Sequence, residues 1–221
     1  MIQRMHGAAR GWRILFAVVG WATLLTRYGL MLEDGTRSVL GSTVVFFSYF
    51  TILTNLLVAL AFTAPAIWPD SRLGRWTATE GVRAAIAMYI AVVALIYHLF
   101  LAATWDPQGL TKVVDIGLHT VMPLAFVLDW LLFVPKGRLR WIDPVKWLAY
   151  PLLYGVFTVI HGLIIGWYPY WFIDIGALGW GPALVNFGAL LIFFLVLGLI
   201  VAALDRGLSA LGKGDSSLTP S

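Results

Sequence analysis

Six stretches of this chain, each close to 20 residues long and nearly free of charge, leave it few ways to fold. At a helical rise of 1.5 Å per residue, about 20 residues cross roughly 30 Å of hydrocarbon. The stretches run from Trp12 to Leu32, Leu40 to Thr63, Val82 to Ala103, Val113 to Val134, Val145 to Gly166 and Ala183 to Leu204. In hydrocarbon every backbone N–H and C=O must be paired within the protein, which a helix achieves inside one segment. A barrel would need short alternating strands, and the sequence shows none. Only 12% of the 221 residues are charged and 60% are hydrophobic, whereas a soluble domain carries roughly a quarter charged residues. The expected fold is all-α: a polytopic membrane protein, one bundle of six transmembrane helices spanning residues 1–221 as a single membrane domain, with 205–221 as a short polar cytoplasmic tail.

The connections are too short to hold a soluble domain, and no internal repeat or low-complexity block interrupts them. The first span follows Arg4, Arg10 and Arg13 in the manner of a signal peptide. Its apolar stretch is longer than a signal h-region and lacks a small-residue cleavage site, so it reads as a retained anchor. Cysteine is absent, which excludes disulfides and thiolate ligands.

Basic residues set the orientation. They cluster at Arg4, Arg10 and Arg13, at Arg72, Arg75 and Arg83, at Lys136, Arg138, Arg140 and Lys146, and at Arg206 and Lys213. The opposite loops offer Arg37 and Lys112 alone. The positive-inside bias therefore places both termini in the cytoplasm. Trp12, Trp68, Trp76, Trp141 and Trp147 then fall near the inner boundary and Trp105, Trp167, Trp171 and Trp180 near the outer one, where amphipathic rings settle. The same asymmetry accounts for the net charge of +4. With no basic-aromatic motif, nucleic acid is not an expected partner, whereas the lipid bilayer is. Oligomeric state is not legible here.

Within this topology each polar residue acquires a depth. In "SYFTILTNLL", Ser48, Thr51, Thr54 and Asn55 have helical spacings of three and four, which predicts a polar face on the second helix. Thr51 falls roughly 16 Å below the outer end of its span, and His119, in "DIGLHTVMP", about 9 Å below the same surface. That leaves roughly 7 Å between them along the membrane normal. His98 and His161 approach the same end on the third and fifth spans, and Arg27 does so on the first. Asp115 and His119 are four apart, Thr158 and His161 three apart. Charged groups inside spanning helices cost about 2.5–3.5 kcal/mol on insertion scales, so they face the bundle interior and are kept for a task. An outward-opening, water-accessible cavity is the expectation.

Pro123 cannot donate to the carbonyl four residues back, so it predicts a kink and a freed acceptor at His119; Pro151 does the same for Trp147. Each polar group also has a structural reading. Ser and Thr in membrane helices bond their own preceding turn, an Asn ties helices together, and Arg27 can snorkel outward.

Three patches, "SYFTILTNLL", "GLHTVMP" and "IHGLIIGWYP", resemble in order and separation the androgen-induced-gene family of membrane hydrolases and its bacterial six-span relatives. The resemblance implies cleavage of fatty acid esters of hydroxy fatty acids by an intramembrane threonine with a histidine partner, in a bacterial inner membrane. Carried over by motif, the threonine is Thr51 and the histidine His119. The "TILT" repeat leaves Thr54 as a competing register, and His161 with Trp167, Tyr168 and Pro169 matches a further family pattern. His98 has no family counterpart.

The chemistry follows ordinary rules. A threonine hydroxyl needs an adjacent base, which an imidazole supplies within hydrogen-bond reach or through one water. Asn55 or Thr54 would donate to the oxyanion, Asp115 would orient His119, and a long acyl chain lying between helices makes a lipid ester the natural substrate. No cofactor is needed on this reading. One rival is a zinc hydrolase with His98, His119 and His161, joined by Asp115, as ligands, although no HExxH-like motif is present. Others are a haem protein with axial histidines, and a non-enzymatic lipid-binding or transport protein, although paired Gly-interrupted half-helices are missing.

Overall fold

In the computed structural model the backbone is described for residues 2–215 and side chains for 7–211, so Arg4 and Lys213 lie outside the described side chains. The structure is 84% helical and has, among the described residues, six helices long and apolar enough to span a membrane. These are Gly7–Glu33, Phe50–Ile67, Glu80–Thr104, Gly109–Phe133, Asp143–Ile165 and Trp180–Leu211. The chain is thus an integral, multi-pass membrane protein. It divides into two compact units, Met1–Pro135 and Lys136–Ser221.

The first unit contains α1 (Ile2–Glu33), α2 (Val39–Ser48), α3 (Phe50–Ile67), α4 (Arg72–Ala78), α5 (Glu80–Ile96), α6 (Gly109–Ile116) and α7 (Met122–Phe133). Ser38 and Ser71 cap α2 and α4, accepting from the amides of Gly41 at 3.1 Å and Gly74 at 2.9 Å. At the centre, α3 packs on α1, α4 and α5. Alanines 59, 61, 64 and 66 on α3 and 84, 85 and 87 on α5 are all buried. Small side chains let helix backbones approach where lipid offers no hydrophobic drive for association. Larger groups fill the remaining core: Phe62 meets Phe126 edge to face at 5.0 Å, and Leu24, Phe46, Ile52, Val114 and Leu118 cluster together.

The second span departs from the sequence expectation. A continuous helix over Leu40–Thr63 is replaced by α2 and α3, separated at Tyr49, whose backbone is extended (φ −84°, ψ 128°). Ser48 Oγ donates to the Val44 carbonyl at 2.7 Å, the back-bonding that bends a helix. The aromatic and β-branched residues that follow have low helix propensity, so the break costs little. Ser48 therefore belongs to a different helix from Thr51, Thr54 and Asn55, and the single polar face does not form.

Two spans carry π turns, Tyr97–Leu101 after α5 and Gly117–Val121 between α6 and α7. The second lies just before Pro123, where a wide turn makes room for the proline ring. It also changes which carbonyl is released. The Met122 amide donates to Gly117, five residues back, so the next acceptor in that register, which Pro123 cannot serve, is Leu118 rather than His119.

The second unit contains α8 (Asp143–Trp147), α9 (Ala149–Ile165), α10 (Ile175–Leu178) and α11 (Trp180–Asp215). The helix breaks at Leu148, three residues before Pro151, as the missing donor of that proline requires. Aromatic rings cover the α9 backbone: a Cβ on Gly155 would stand 2.1 Å from the Phe187 ring, and one on Gly162 2.1 Å from Tyr168. Helix α11 runs on to Asp215, so 205–215 continues the last span instead of forming a polar tail; 216–221 lie outside the described residues. Asp205, 1% exposed, explains the continuation, because its Oδ2 accepts from the amides of Gly137 at 2.8 Å and Leu139 at 3.1 Å.

Candidate functional site

Thr51 is the second residue of α3, immediately after the break at Tyr49, and is partly buried. Thr54, one turn on, is 0% exposed. A nucleophile has to meet its substrate, and of the two registers allowed by the "TILT" repeat Thr51 is the one that is not sealed in the core. Arg27, partly buried on α1, lies near enough to Tyr49 to act electrostatically on its phenol, which places a cation beside the helix break.

Asn55 Nδ2 donates to the Thr51 carbonyl at 2.9 Å and to the Leu118 carbonyl at 3.2 Å. The second acceptor is the one released by the π turn and Pro123. A single amide nitrogen therefore ties the backbone of Thr51 to the residue preceding His119. With that nitrogen committed to two carbonyls, Asn55 is a helix tie and not the oxyanion donor expected from the sequence.

Asn55→Leu is expected to destabilise the fold by about 1 kcal/mol. Leaving the Leu118 carbonyl unpaired costs more than that, but the variant also removes Asn55 Oδ1, which is buried without a partner among the described residues. A thermal unfolding midpoint in detergent equal to that of the wild type would show that the tie contributes nothing.

His119 lies within the π turn Gly117–Val121 and is 12% exposed. Its Nδ1 sits 3.0 Å from the Asp115 carbonyl and 3.2 Å from Asp115 Oδ1. Both neighbours are acceptors, so in the neutral ring Nδ1 carries the proton and Nε2 presents a lone pair. No partner for Nε2 occurs among the described residues. Asp115 thus meets His119 through its main chain as well as its carboxylate.

Tyr97, at the start of the other π turn, lies flat on His119, with ring centroids 3.8 Å apart and planes 10° from parallel. Its hydroxyl donates to Asp115 Oδ2. The sequence reading does not single out Tyr97, because a tyrosine in an aromatic-rich run carries no mark of its own. The adjacent His98 is exposed and its Nε2 lies 3.1 Å from Thr120 Oγ1, which joins the two π turns a second time. That gives His98 a structural role where the sequence left it without one.

His161 lies on α9 in the second unit, 8% exposed, with Trp167 edge-on at 6.0 Å and Phe157 at 5.6 Å. Thr158, three residues earlier, is 2% exposed and its hydroxyl has no partner among the described residues. As for the zinc alternative, no group of three or more His, Cys, Asp or Glu side chains placed to hold a metal ion occurs among the described residues.

A second buried polar cluster lies elsewhere in the first unit. Asp129, 0% exposed on α7, pairs with Arg83, which is 1% exposed on α5, and with Arg13 on α1 at 2.9 Å. The sequence reading treats Arg83 as an inner-loop cation and passes over Asp129. The signal was present, since a carboxylate inside an apolar run is costly unless paired.

Searches against family models, curated proteins and solved structures find no match to this chain.

Proposed function

We propose that the chain is an intramembrane lipid-ester hydrolase in which Thr51 is the nucleophile and His119 the base, acting in the manner of the androgen-induced-gene family on fatty acid esters of hydroxy fatty acids or similar acyl esters. On this reading it is a bacterial inner-membrane enzyme with both termini in the cytoplasm. The observation that carries the reading is the state of His119: Asp115 occupies Nδ1, Nε2 has no partner among the described residues, and the turn that bears the ring is tied through Asn55 to Thr51.

In the reaction Thr51 Oγ attacks the ester carbonyl carbon while Nε2 of His119 takes the hydroxyl proton. Collapse of the tetrahedral intermediate breaks the ester C–O bond, and the same proton passes to the departing alcohol oxygen. Water then attacks the acyl-threonine, giving one proton to Nε2; the bond to Thr51 Oγ breaks, that oxygen recovers the proton, and the carboxylic acid leaves. A partly exposed threonine on an apolar span suits an acyl chain arriving from the bilayer, where the ester is already dissolved.

The test is hydrolysis of a panel of lipid esters by purified wild type, Thr51→Ala and Thr54→Ala. Turnover by the wild type that is lost in Thr51→Ala and kept in Thr54→Ala is the expected result. Turnover retained by Thr51→Ala removes the nucleophile, and loss confined to Thr54→Ala moves it by one turn.

A further inference from the structure

Two helices that each break α-helical register do so where they face one another. The π turn Tyr97–Leu101 presents Tyr97 and His98, and the π turn Gly117–Val121 presents His119 and Thr120. Each turn supplies one aromatic ring and one further polar group to the other. The His98–Thr120 contact is exposed, whereas Tyr97 is 8% exposed and its contacts converge on the imidazole proposed as base. π turns cost hydrogen-bond geometry and recur at functional sites, so two that interlock on one histidine ask for an explanation.

We propose that Tyr97 is a positioning residue that holds Asp115 and His119 in the one arrangement leaving Nε2 free to accept a proton. Two contacts divide the task. The Tyr97 hydroxyl donates to Asp115 Oδ2, which turns the carboxylate so that Oδ1 faces His119 Nδ1 at 3.2 Å. The phenol ring, stacked at 3.8 Å, stops the imidazole from flipping about its χ2 bond. A flip would set Cδ2 against Asp115 in place of Nδ1, break both contacts to Asp115 and carry Nε2 to where Cε1 now stands, so the lone pair would no longer point where the reaction needs it. When Nε2 takes the threonine proton, the proton on Nδ1 stays in place between Asp115 Oδ1 and the Asp115 carbonyl. The cation formed then lies beside a carboxylate and under a π face, both already in position.

This rests on the hydrolase reading for its catalytic consequence, but its structural content can be measured without turnover. Nitrogen-15 NMR of histidine-labelled protein in detergent reports which ring nitrogen carries the proton, with His119→Gln identifying the signal. The wild type is expected to show His119 protonated at Nδ1. Tyr97→Phe keeps the stack and loses the donor, so its His119 signal is expected to move towards mixed tautomers. Tyr97→Leu loses both contacts and is expected to move further. Where the wild type turns over an ester, kcat of Tyr97→Phe is expected to fall roughly 10-fold at unchanged KM, the effect of losing one hydrogen bond to a charged group.

An identical His119 signal in the wild type and both variants overturns the proposal, as does an active wild type whose Tyr97→Phe variant keeps its kcat. A wild type inactive on every ester defeats the hydrolase reading alone, and the tautomer shift then still decides whether Tyr97 holds the pair. Tyr97→Phe changes a single oxygen, so an unchanged circular dichroism spectrum and unfolding midpoint separate loss of position from loss of fold.

Discussion

Asp129→Ala is expected to destabilise the protein by about 3–5 kcal/mol, enough to prevent recovery of folded material from the membrane. The reason lies in what is left behind. Arg83 is 1% exposed, and its Nη1 donates to the carbonyls of Ala61 at 3.0 Å and Thr77 at 3.2 Å. Its Nε, 3.1 Å from Asp129 Oδ2, and its Nη2 both turn to Asp129. The carboxylate also holds Arg13 Nε at 2.9 Å. Removing it strands a buried cation whose remaining partners are neutral carbonyls. The guanidinium also lies 5.0 Å from the centre of the Phe126 ring, a further contact holding it inside the bundle.

The cluster joins α1, α3, α4, α5 and α7, and its loss loosens most of the first unit. Arg13→Gln is expected to be milder because that side chain is 17% exposed and screened by water. Replacing the buried pair together, Arg83→Met with Asp129→Leu, is expected to recover much of the loss, since neither charge is then left alone. Unfolding in detergent followed by tryptophan fluorescence measures all four proteins. A midpoint for Asp129→Ala equal to the wild type would mean that the pair contributes nothing.

The second large effect is chemical. His119→Ala is expected to lower kcat on a hydrolysed lipid ester by about 10²–10⁴-fold, the range typical of general acid–base catalysis, with KM little changed. The imidazole moves a proton and does not grip the acyl chain, so its removal acts on the transition state. Asp115→Asn is expected to cost less, because the imidazole itself remains and the main-chain carbonyl of residue 115 still lies 3.0 Å from Nδ1. Unchanged kcat in His119→Ala removes the base and the mechanism with it. A fall in Asp115→Asn larger than that in His119→Ala would show the carboxylate itself to be the proton acceptor.

Particular residues show how far the chain could be read in advance. Asp115 and His119 are four apart on one helix, and that local spacing brought them together as expected. Proline positions marked the break before Pro151 and the distortion before Pro123, because a missing N–H and a bulky ring act on the nearest turn whatever surrounds them. The released carbonyl is that of Leu118 and not of His119, since the choice between α and π register there depends on neighbours: Asn55 on another helix supplies the hydrogen that Pro123 lacks. The extended Tyr49 likewise defeated helical periodicity, because a continuous apolar run carries no mark of a break that side-chain back-bonding and tertiary contacts stabilise.

Hydrophobic length and the scarcity of charge determined from the sequence alone that six helices cross a membrane, because burying unpaired backbone in hydrocarbon leaves no cheaper solution. Which polar groups meet was decided only in three dimensions. Tyr97 lies 22 residues from His119, and Arg83 lies 46 from Asp129. Partners on different helices are chosen by packing and by the need to satisfy each buried charge, and no spacing along the chain records that choice.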